Sequence, residues 1–249
     1  MRNTLINCDL SQAELRVMAL LSNDPWMIAA LQEDQGDFFD THMMPVCFPW
    51  IEMDYGSVEE YKEQEPVEHK ESRTKVKGIQ YGLAFGRQAA AIGAALGLSK
   101  QEAQAIINNY LDTASGFRQW REDVMEAAIT PSKRDLLINP FGRRFQSEII
   151  TSGNWAAVQR EALSFLPQST SSDICLATGI RINSTLQDAG YHIFNIVHDA
   201  LMIEGPEKGA SEIGRFVATE LRATGKMVFG DTVPFLSDYS IGESWSDLS

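Results

Sequence analysis

Two short apolar runs meet at a polar turn near the end of the chain, and this arrangement limits the fold more than any other feature. Residues 192–197 and 200–204 flank the dipeptide His198-Asp199 and read as a β-hairpin. A third β-prone run, residues 4–8, ends at Asp9. Most of the remaining sequence places apolar residues at helical spacing. Together these patterns predict an α+β fold with a small antiparallel sheet among helices.

Helical patterns fill most of the sequence between the β-prone runs. A capping-box pattern at 11–14 begins one helix, and Pro25 begins the next. We expect further helices at about 72–96, 99–111, 117–128, 153–188 and 209–224, a hairpin or loop at 136–150, and a last strand near 232–237. Residues 43–70 are typical of an irregular acidic connector with a helical stretch around 57–64. Glycine recurs every four residues at 78, 82 and 86, which predicts that something packs closely against that helix face.

Composition excludes several classes of protein. The 249 residues are 44% hydrophobic, which is enough for a core and excludes global disorder. No apolar run approaches the ~20 residues of a membrane helix, so we expect a cytoplasmic chain with no membrane partner. Three widely spaced cysteines, Cys8, Cys47 and Cys175, predict reduced thiols rather than a disulfide framework or a zinc site.

The net charge of −13 argues against a free-standing nucleic-acid-binding protein, which usually carries a basic face. The charge is unevenly spread, however, because residues 51–72 contain eight acids and two lysines. This stretch is typical of a solvated insertion. Net charge alone therefore leaves the partner open.

Asp9 and Asp199 each stand at the end of an apolar β-prone run. An ionised carboxylate is costly to bury there unless it is paired or binds a cation. Each aspartate could be an ordinary turn residue. As a pair in one sheet they could instead bind two hard cations for phosphoryl chemistry. Periodicity does not decide between these interpretations.

Arg73, Lys77, Tyr81 and Phe85 are spaced by four residues and share one helix face. Two cations followed by two aromatic rings could present charge to a triphosphate and rings to a base or sugar. The same pattern fits an ordinary amphipathic helix with core aromatics and solvated cations.

Three segments resemble, in order, the motifs of the A-family DNA polymerases. Residues 9–16 (DLSQAELR) resemble motif A, DYSQIELR. Residues 73–86 resemble motif B, Rx3Kx3[FY]Gx2YG, with every spacing kept, and residues 197–200 (VHDA) resemble motif C, VHDE. Weaker similarities lie at Asp40-x-His42 (DxH), Gly142-Arg143-Arg144 (GRR), Arg160-x3-Ser164-x3-Gln168 (Rx3Nx3Q) and Gly242-x2-Trp245 (GxxW).

The resemblance implies the palm and fingers of a right-hand polymerase, without thumb or exonuclease domain. Residues 1–36 would be palm with motif A, residues 37–130 fingers with a motif B helix at about 72–96, and residues 131–249 palm with a motif C hairpin at about 192–204. The implied reaction is template-directed DNA synthesis by two-metal nucleotidyl transfer from a dNTP to a primer 3′-hydroxyl.

The resemblance also assigns roles to residues. Asp9 and Asp199, with the backbone carbonyl of Leu10, would hold two Mg²⁺ ions, for which Mn²⁺ could substitute, and Lys77 would donate a proton to pyrophosphate. The residues implied to bind the dNTP are Gln12, Glu14, His42, Arg73, Lys77, Tyr81 and Phe85, with Glu14 beneath the 2′ position and Tyr81 beside the sugar. Those implied to bind primer-template DNA are Arg143, Arg144, Arg160, Gln168 and His198.

Motif A begins eight residues after Met1, which leads to the hypothesis of a split polymerase. A separate protein chain would supply the thumb, the remaining palm strands and a possible 3′–5′ exonuclease. The run at residues 4–8 would then be an unpaired sheet edge until that chain binds. Such an organisation suggests a phage gene and a site of action in the host cytoplasm.

Two alternatives remain at this stage. A single-subunit RNA polymerase shares the palm and the motif B cations, but Glu14 resembles the steric gate of DNA enzymes and Phe85 lacks the hydroxyl of the RNA enzymes. A non-catalytic structural subunit with a relic polymerase fold would explain three departures from the motifs. These are Phe85 in motif B, Ala200 in place of the motif C glutamate, and Ser164 in place of asparagine.

Overall fold

The computed structural model describes residues 3–32, 37–147, 149–151 and 153–248. The chain divides into two compact units. Unit 1 comprises Met1–Leu20, Ile138–Arg144 and Leu166–Ser249, and unit 2 comprises Leu21–Leu137 and Phe145–Phe165. Among the described helices, none is long and apolar enough to cross a membrane.

A four-stranded antiparallel sheet forms the centre of unit 1. Its strands are β1 (Asn3–Ser11), β2 (His192–Val197), β3 (Ala200–Pro206) and β4 (Leu236–Gly242), in the order β2-β3-β1-β4. The predicted hairpin is confirmed as β2 and β3, and the α+β fold class is confirmed with it.

The prediction of an unpaired edge at residues 4–8 is wrong. Strand β1 lies between β3 and β4 and is hydrogen-bonded to both. The last strand begins at Leu236, four residues later than the sequence indicated, and its full length pairs with β1. The chain's own C-terminal strand therefore fills the position that the split hypothesis gave to a partner strand.

Alternation along β1 separates the two faces of this sheet. Ile6, Cys8 and Leu10 are buried, whereas the residues between them are half-exposed. Two helices, α10 (Trp155–Asp188) and α11 (Ala210–Phe229), cover the buried face, and the Cys8 thiol donates to the carbonyl of Gly214 in α11 at 3.7 Å. Since side chains alternate across a strand, Asp9 belongs to the opposite, more open face.

Unit 2 is helical. Its elements begin with the end of α1 (Ala13–Ser22) and continue as α2 (Pro25–Gln32), a π-helix (Phe39–Met43), α3 (Met44–Cys47), α4 (Trp50–Tyr55), α5 (Val58–Gln64), α6 (Pro66–Ala84), α7 (Ala89–Leu96), α8 (Lys100–Thr113) and α9 (Ser115–Ile129). A short 3₁₀ helix, Pro131–Leu136, follows. Ser99 and Glu102 form the capping box that begins α8. The core is built around Tyr110 and Phe117, which are fully buried.

Two predictions for unit 2 need correction. The connector predicted at residues 43–70 is largely helical, because Trp50, Tyr55 and Tyr61 pack their rings together and give α4 and α5 a small core of their own. The single helix predicted at 72–96 is two helices, α6 and α7, separated at residues 85–88. Gly86 in this break has φ +70°, a conformation that side-chain-bearing residues rarely adopt.

The glycine-bearing face of α6 packs tightly against protein. A Cβ atom at Gly82 would lie 2.9 Å from Ile92 of α7, and one at Gly86 would lie 2.7 Å from Arg160. The prediction of close packing is therefore confirmed. Protein side chains therefore occupy the space beside Gly82 and Gly86.

Candidate active site

The open face of the sheet in unit 1 brings two predicted carboxylates together. Asp9 pairs in register with Ala200 of β3 and with Asp238 of β4. Asp199 occupies the turn between β2 and β3, and its carbonyl accepts a hydrogen bond from the backbone N–H of Leu10 at 3.2 Å. This bond ties the motif C turn to the strand that carries Asp9. The sheet register thus supplies the proximity that periodicity left undecided.

The environment of these carboxylates disfavours their charge. Burial raises the pKa of Asp9, and the neighbouring charge of Asp238 raises it further. Burial is also the main cause of the raised pKa of Asp199, to which the charge of Asp9 adds. Among the described residues, no lysine or arginine forms an ion pair with either aspartate. A bound cation would relieve both effects.

A cavity of about 330 Å³ adjoins Asp199 in unit 1. Its lining combines residues from motif A, from α10 and from the motif C hairpin: Glu14, Gln168, Ser171, Ser172, Ile196, His198 and Asp199. Burial is the main cause of the raised pKa of Glu14, and the charge of Asp199 raises it further. The charge of His198 and a hydrogen bond from the Gln168 side chain act in the opposite direction. The structure therefore brings together four residues that the sequence assigned to nucleotide, DNA or metal.

Two backbone conformations near this cavity are uncommon. His198 has φ +55° and Gln12 has φ +54°, which places both in the left-handed region. At His198 this conformation closes the two-residue turn that presents Asp199. At Gln12 it makes the junction between β1 and α1. Such conformations cluster at functional sites.

In unit 2 the π-helix packs against the face of α6 that carries Arg73, Lys77 and Tyr81, here called the cationic face. The ring of Phe39 lies 5.3 Å from the Lys77 ammonium nitrogen and 6.2 Å from the ring of Tyr81. The rings of Tyr81 and Phe85 stack at 6.2 Å. His42 lies within the same π-helix, with its ring 6.2 Å from that of Phe38. Lys77, Tyr81, Phe85 and His42 were predicted from the sequence, whereas Phe39 was not.

Arg73 is held by two carboxylates that precede α6. Its Nη2 lies 2.6 Å from Asp37 Oδ2, and its Nε lies 3.1 Å from Asp40 Oδ1. The same Asp40 oxygen lies 3.5 Å from Nε2 of His69, one turn before Arg73 on α6. Burial raises the pKa of Asp40, while the charges of His69 and Arg73 act in the opposite direction. His69 was not predicted as a site residue, although it extends the four-residue spacing of Arg73, Lys77 and Tyr81 by one step.

Among the predicted DNA-binding arginines, Arg143 has a carboxylate partner. Arg143 grips Asp173 of α10 in a two-pronged contact, with Nε 3.0 Å from Oδ2 and Nη2 2.6 Å from Oδ1. Asn139 donates to the same carboxylate at 2.7 Å, so this network fixes the hairpin 138–144 to α10 within unit 1. Arg160 lies in the first part of α10, beside Gly86 in unit 2. The Arg143 side chain remains 53% exposed and can still meet a ligand.

The departures from the motifs are local. Ala200 is buried beside Asp9 in the sheet, where it offers no carboxylate. The hydroxyl of Ser164 bonds to backbone carbonyls of its own helix, at 3.2 Å from Arg160 and 3.1 Å from Glu161. Neither change removes Asp9 or Asp199.

Comparison with known proteins decides the family. The family model described as DNA polymerase family A matches residues 1–247. The chain belongs to this family. The match favours the A-family interpretation over the single-subunit RNA polymerase alternative.

The similar proteins are DNA polymerases. The chain is 26% identical to the thermostable DNA polymerase I of Thermus aquaticus over 244 residues, covering 97% of this chain and 27% of that protein. It is 25% identical to DNA polymerase I of Aquifex aeolicus over 254 residues, covering 98% and 39%. The solved POL domain of Pol1 from M. smegmatis, in complex with DNA primer-template and dNTP, superposes with a TM-score of 0.79 at 26% identity, covering 98% of this chain and 40% of that one. The chain thus spans well under half the length of these relatives.

Proposed function

We propose that this chain catalyses template-directed DNA synthesis, joining a deoxynucleotide from a dNTP to a primer 3′-hydroxyl with release of pyrophosphate. One observation carries the proposal: the register of β1 and the Leu10–Asp199 hydrogen bond bring Asp9 and Asp199 together in a family A polymerase fold. Both carboxylates are half-buried, and no lysine or arginine among the described residues forms an ion pair with either. This is the charge arrangement that metal-assisted phosphoryl transfer requires.

The donor set fits Mg²⁺. Within the described residues, no three His, Cys, Asp or Glu side chains group closely enough to enclose a metal ion. Mg²⁺ commonly binds through one or two carboxylates and completes its coordination with substrate phosphates and water. Asp9 and Asp199, with the carbonyl of Leu10, would hold two Mg²⁺, or Mn²⁺ in their place. When bound, the ions would stabilise charge on the attacking and leaving oxygens.

The cationic face of α6 is proposed to bind the triphosphate. Arg73 and Lys77, together with His42, would hold its phosphate oxygens, and Lys77 would donate a proton to the departing pyrophosphate. Tyr81 and Phe85 stack and would pack beside the sugar and base. Glu14 would close the space beneath the 2′ position, and Gln12 would lie with it at the nucleotide.

Primer-template DNA is proposed to contact Arg160, Gln168, His198, Arg143 and Arg144. We interpret unit 1 as palm and unit 2 as fingers. The net charge of −13 opposes binding to a polyanion. We therefore propose that a basic surface beyond the matched residues holds the duplex, as a thumb does, either in a separate chain or in the same polypeptide. A 3′–5′ exonuclease and a phage origin belong to the separate-chain form of this hypothesis.

Salt-dependent DNA binding by the chain alone tests the need for that surface. We expect weak binding that disappears as salt is raised to physiological concentration. Full affinity of a monomer at that salt would overturn the requirement for a second chain.

Primer extension with Mg²⁺ and dNTPs tests catalysis. The wild-type chain would be compared with Asp199→Asn and with a matched control, Asp231→Asn, which removes an exposed carboxylate of the same unit. Extension that Asp199→Asn alone abolishes would support the proposal.

Ala200 favours one second candidate, a non-catalytic subunit with a relic fold, because the motif C glutamate is absent. If no extension occurs, Mg²⁺-dependent dNTP binding separates the two. Only the catalytic proposal predicts that Asp199→Asn weakens this binding.

A further inference from the structure

One polar side chain at the cavity of unit 1 has no hydrogen-bond partner. Ser171 is 2% exposed, lines the cavity and directs no hydrogen bond to any described protein atom. Its neighbours on α10 behave differently. Thr170 donates to the carbonyl of Leu166 at 2.6 Å, and Thr178 donates to that of Ile174 at 2.8 Å. Ser171 therefore lacks the hydrogen bond to a backbone carbonyl of its own helix that Thr170 and Thr178 make.

A buried hydroxyl without a partner destabilises the folded state, so its presence in a native protein requires an explanation. A ligand that enters the adjoining cavity would supply the missing partner. The other polar groups of the cavity restrict the type of ligand atom. Glu14 and Asp199 are carboxylates, and Gln168 already bonds to Glu14. Ser171 therefore adds a hydroxyl donor where the carboxylates, when ionised, only accept.

We propose that Ser171 is a substrate-binding residue whose hydroxyl donates to the minor-groove acceptor of the primer-terminal base. This inference rests on the proposed function. The acceptors are purine N3 and pyrimidine O2, which all base pairs present in the minor groove. A single donor aimed at this position accepts every correct pair, as template-directed synthesis requires. The cavity also holds Asp199, Gln168 and His198, the residues proposed to act near the primer end.

The chain offers a matched control in Ser237. Its hydroxyl is also buried without a partner, and the residue is 8% exposed. Ser237 pairs in register with Leu10, so it faces the helix-covered side of the sheet, away from Asp9. It does not line the cavity. Ser237→Ala thus removes a comparable hydroxyl without touching the proposed contact.

The test measures binding of a primer-template at low salt, with the primer ending in deoxyadenosine or in 3-deaza-deoxyadenosine, which lacks the N3 acceptor. Using the full chain, we expect Ser171→Ala to weaken binding of the natural primer by about tenfold, as the loss of one hydrogen bond predicts. Replacing the natural primer with the deaza primer should weaken binding to the wild type by a similar factor. The same replacement should not weaken binding to Ser171→Ala any further. Ser237→Ala should retain wild-type affinity and the full sensitivity to the deaza base.

Thermal unfolding without DNA provides the second readout. Ser171→Ala should unfold at the wild-type temperature or above, since it removes an unsatisfied group. A lower unfolding temperature with unchanged DNA affinity would overturn the proposal, because the hydroxyl would then serve the fold. Independent, additive losses from Ser171→Ala and the deaza base would also overturn it.

The outcomes distinguish this inference from the proposed function. If primers are extended but the two losses are additive, the Ser171 assignment alone fails. If the losses coincide but Asp199→Asn changes neither extension nor Mg²⁺-dependent dNTP binding, the contact stands and the catalytic proposal fails.

Discussion

The acidic site of unit 1 and the cationic face of unit 2 differ in whether their charged side chains already have partners of opposite charge. Asp9 and Asp199 lie half-buried, with raised pKa values, and no described lysine or arginine pairs with them. Arg73, in contrast, already contacts the carboxylates of Asp37 and Asp40. A bound cation would supply the opposite charge that Asp9 and Asp199 lack. A phosphate that binds Arg73 would instead have to displace the carboxylates of Asp37 and Asp40 or share Arg73 with them.

The largest expected effect comes from neutralising the carboxylate of Asp199. Asp199→Asn should lower the rate of primer extension by on the order of 10³-fold, because metal-assisted catalysis supplies several kcal/mol of charge stabilisation. Single-turnover incorporation of one dNTP measures the effect, with Asp231→Asn as control. A loss below about tenfold would break the comparison, since the carboxylate would then be dispensable.

Asp173 extends the comparison because it lies in the same unit as Asp9 but has hydrogen-bonding partners, Arg143 and Asn139. Burial alone would raise its pKa, but hydrogen bonds from Arg143 and Asn139 outweigh burial and lower it. A lowered folded-state pKa stabilises the fold at neutral pH, and this contribution is lost as the pH falls through that pKa. Asp173→Asn should therefore lower the free energy of unfolding by about 2 kcal/mol at pH 7.

Urea denaturation at neutral and acidic pH checks this expectation. The difference between wild type and Asp173→Asn should shrink in acid, where the wild-type carboxyl is also neutral. Asp231→Asn, which breaks an exposed pair with Lys226, should have little effect at either pH. A difference independent of pH would show that Asp173 acts through shape rather than charge.

Tyr81 tests the aromatic end of the cationic face. Tyr81 resembles the tyrosine of those family members that accept dideoxynucleotides readily. The tyrosine hydroxyl would replace the contact that the missing 3′-hydroxyl of such a nucleotide cannot make. Tyr81→Phe should increase discrimination against dideoxynucleotides by about tenfold or more, the value of one hydrogen bond. Competition between dNTP and ddNTP during primer extension measures it. Unchanged discrimination would remove Tyr81 from the sugar pocket.

The smallest expected effect concerns the partner exchange at Arg73. Asp37→Asn should lower the KM for dNTP by about fivefold, because the triphosphate no longer competes with a carboxylate for Nη2. Asp112→Asn, which breaks an exposed pair with Arg118 in the same unit, serves as control. A higher KM for Asp37→Asn would mean that Asp37 positions Arg73 rather than competing for it.

Local pattern predicted the elements better than their pairing. The hairpin β2–β3 and most helices agree with the sequence to within a few residues. The pairing of β1 with β4 joins segments more than 220 residues apart, and no local signal carries that register. The break after α6 escaped prediction; Gly86, which lies in it, has φ +70° and packs beside Arg160, a residue distant in sequence.

The candidate site shows the same division. Spacing alone grouped Arg73, Lys77, Tyr81 and Phe85. Helix α6 carries the first three on one face, and Phe85 follows directly after its end, with its ring stacked on that of Tyr81. The pairing of Asp9 with Asp199 needed the family resemblance, because a strand carries Asp9 and the turn of a distant hairpin carries Asp199. Asp37 and the Arg143–Asp173 contact were missed altogether, as they join different elements through side chains.

The central position of β1 has a consequence for hydrogen exchange. Its backbone is bonded on both sides, to β3 and to β4, whereas the turn that carries Asp199 lies at the end of a hairpin whose outer strand β2 forms one side of the sheet. Amides of the strand that bears Asp9 should exchange only with global opening, and those around Asp199 through smaller local openings. One carboxylate is thus anchored in the slowest-exchanging part of the sheet, while the other can adjust its position without unfolding it.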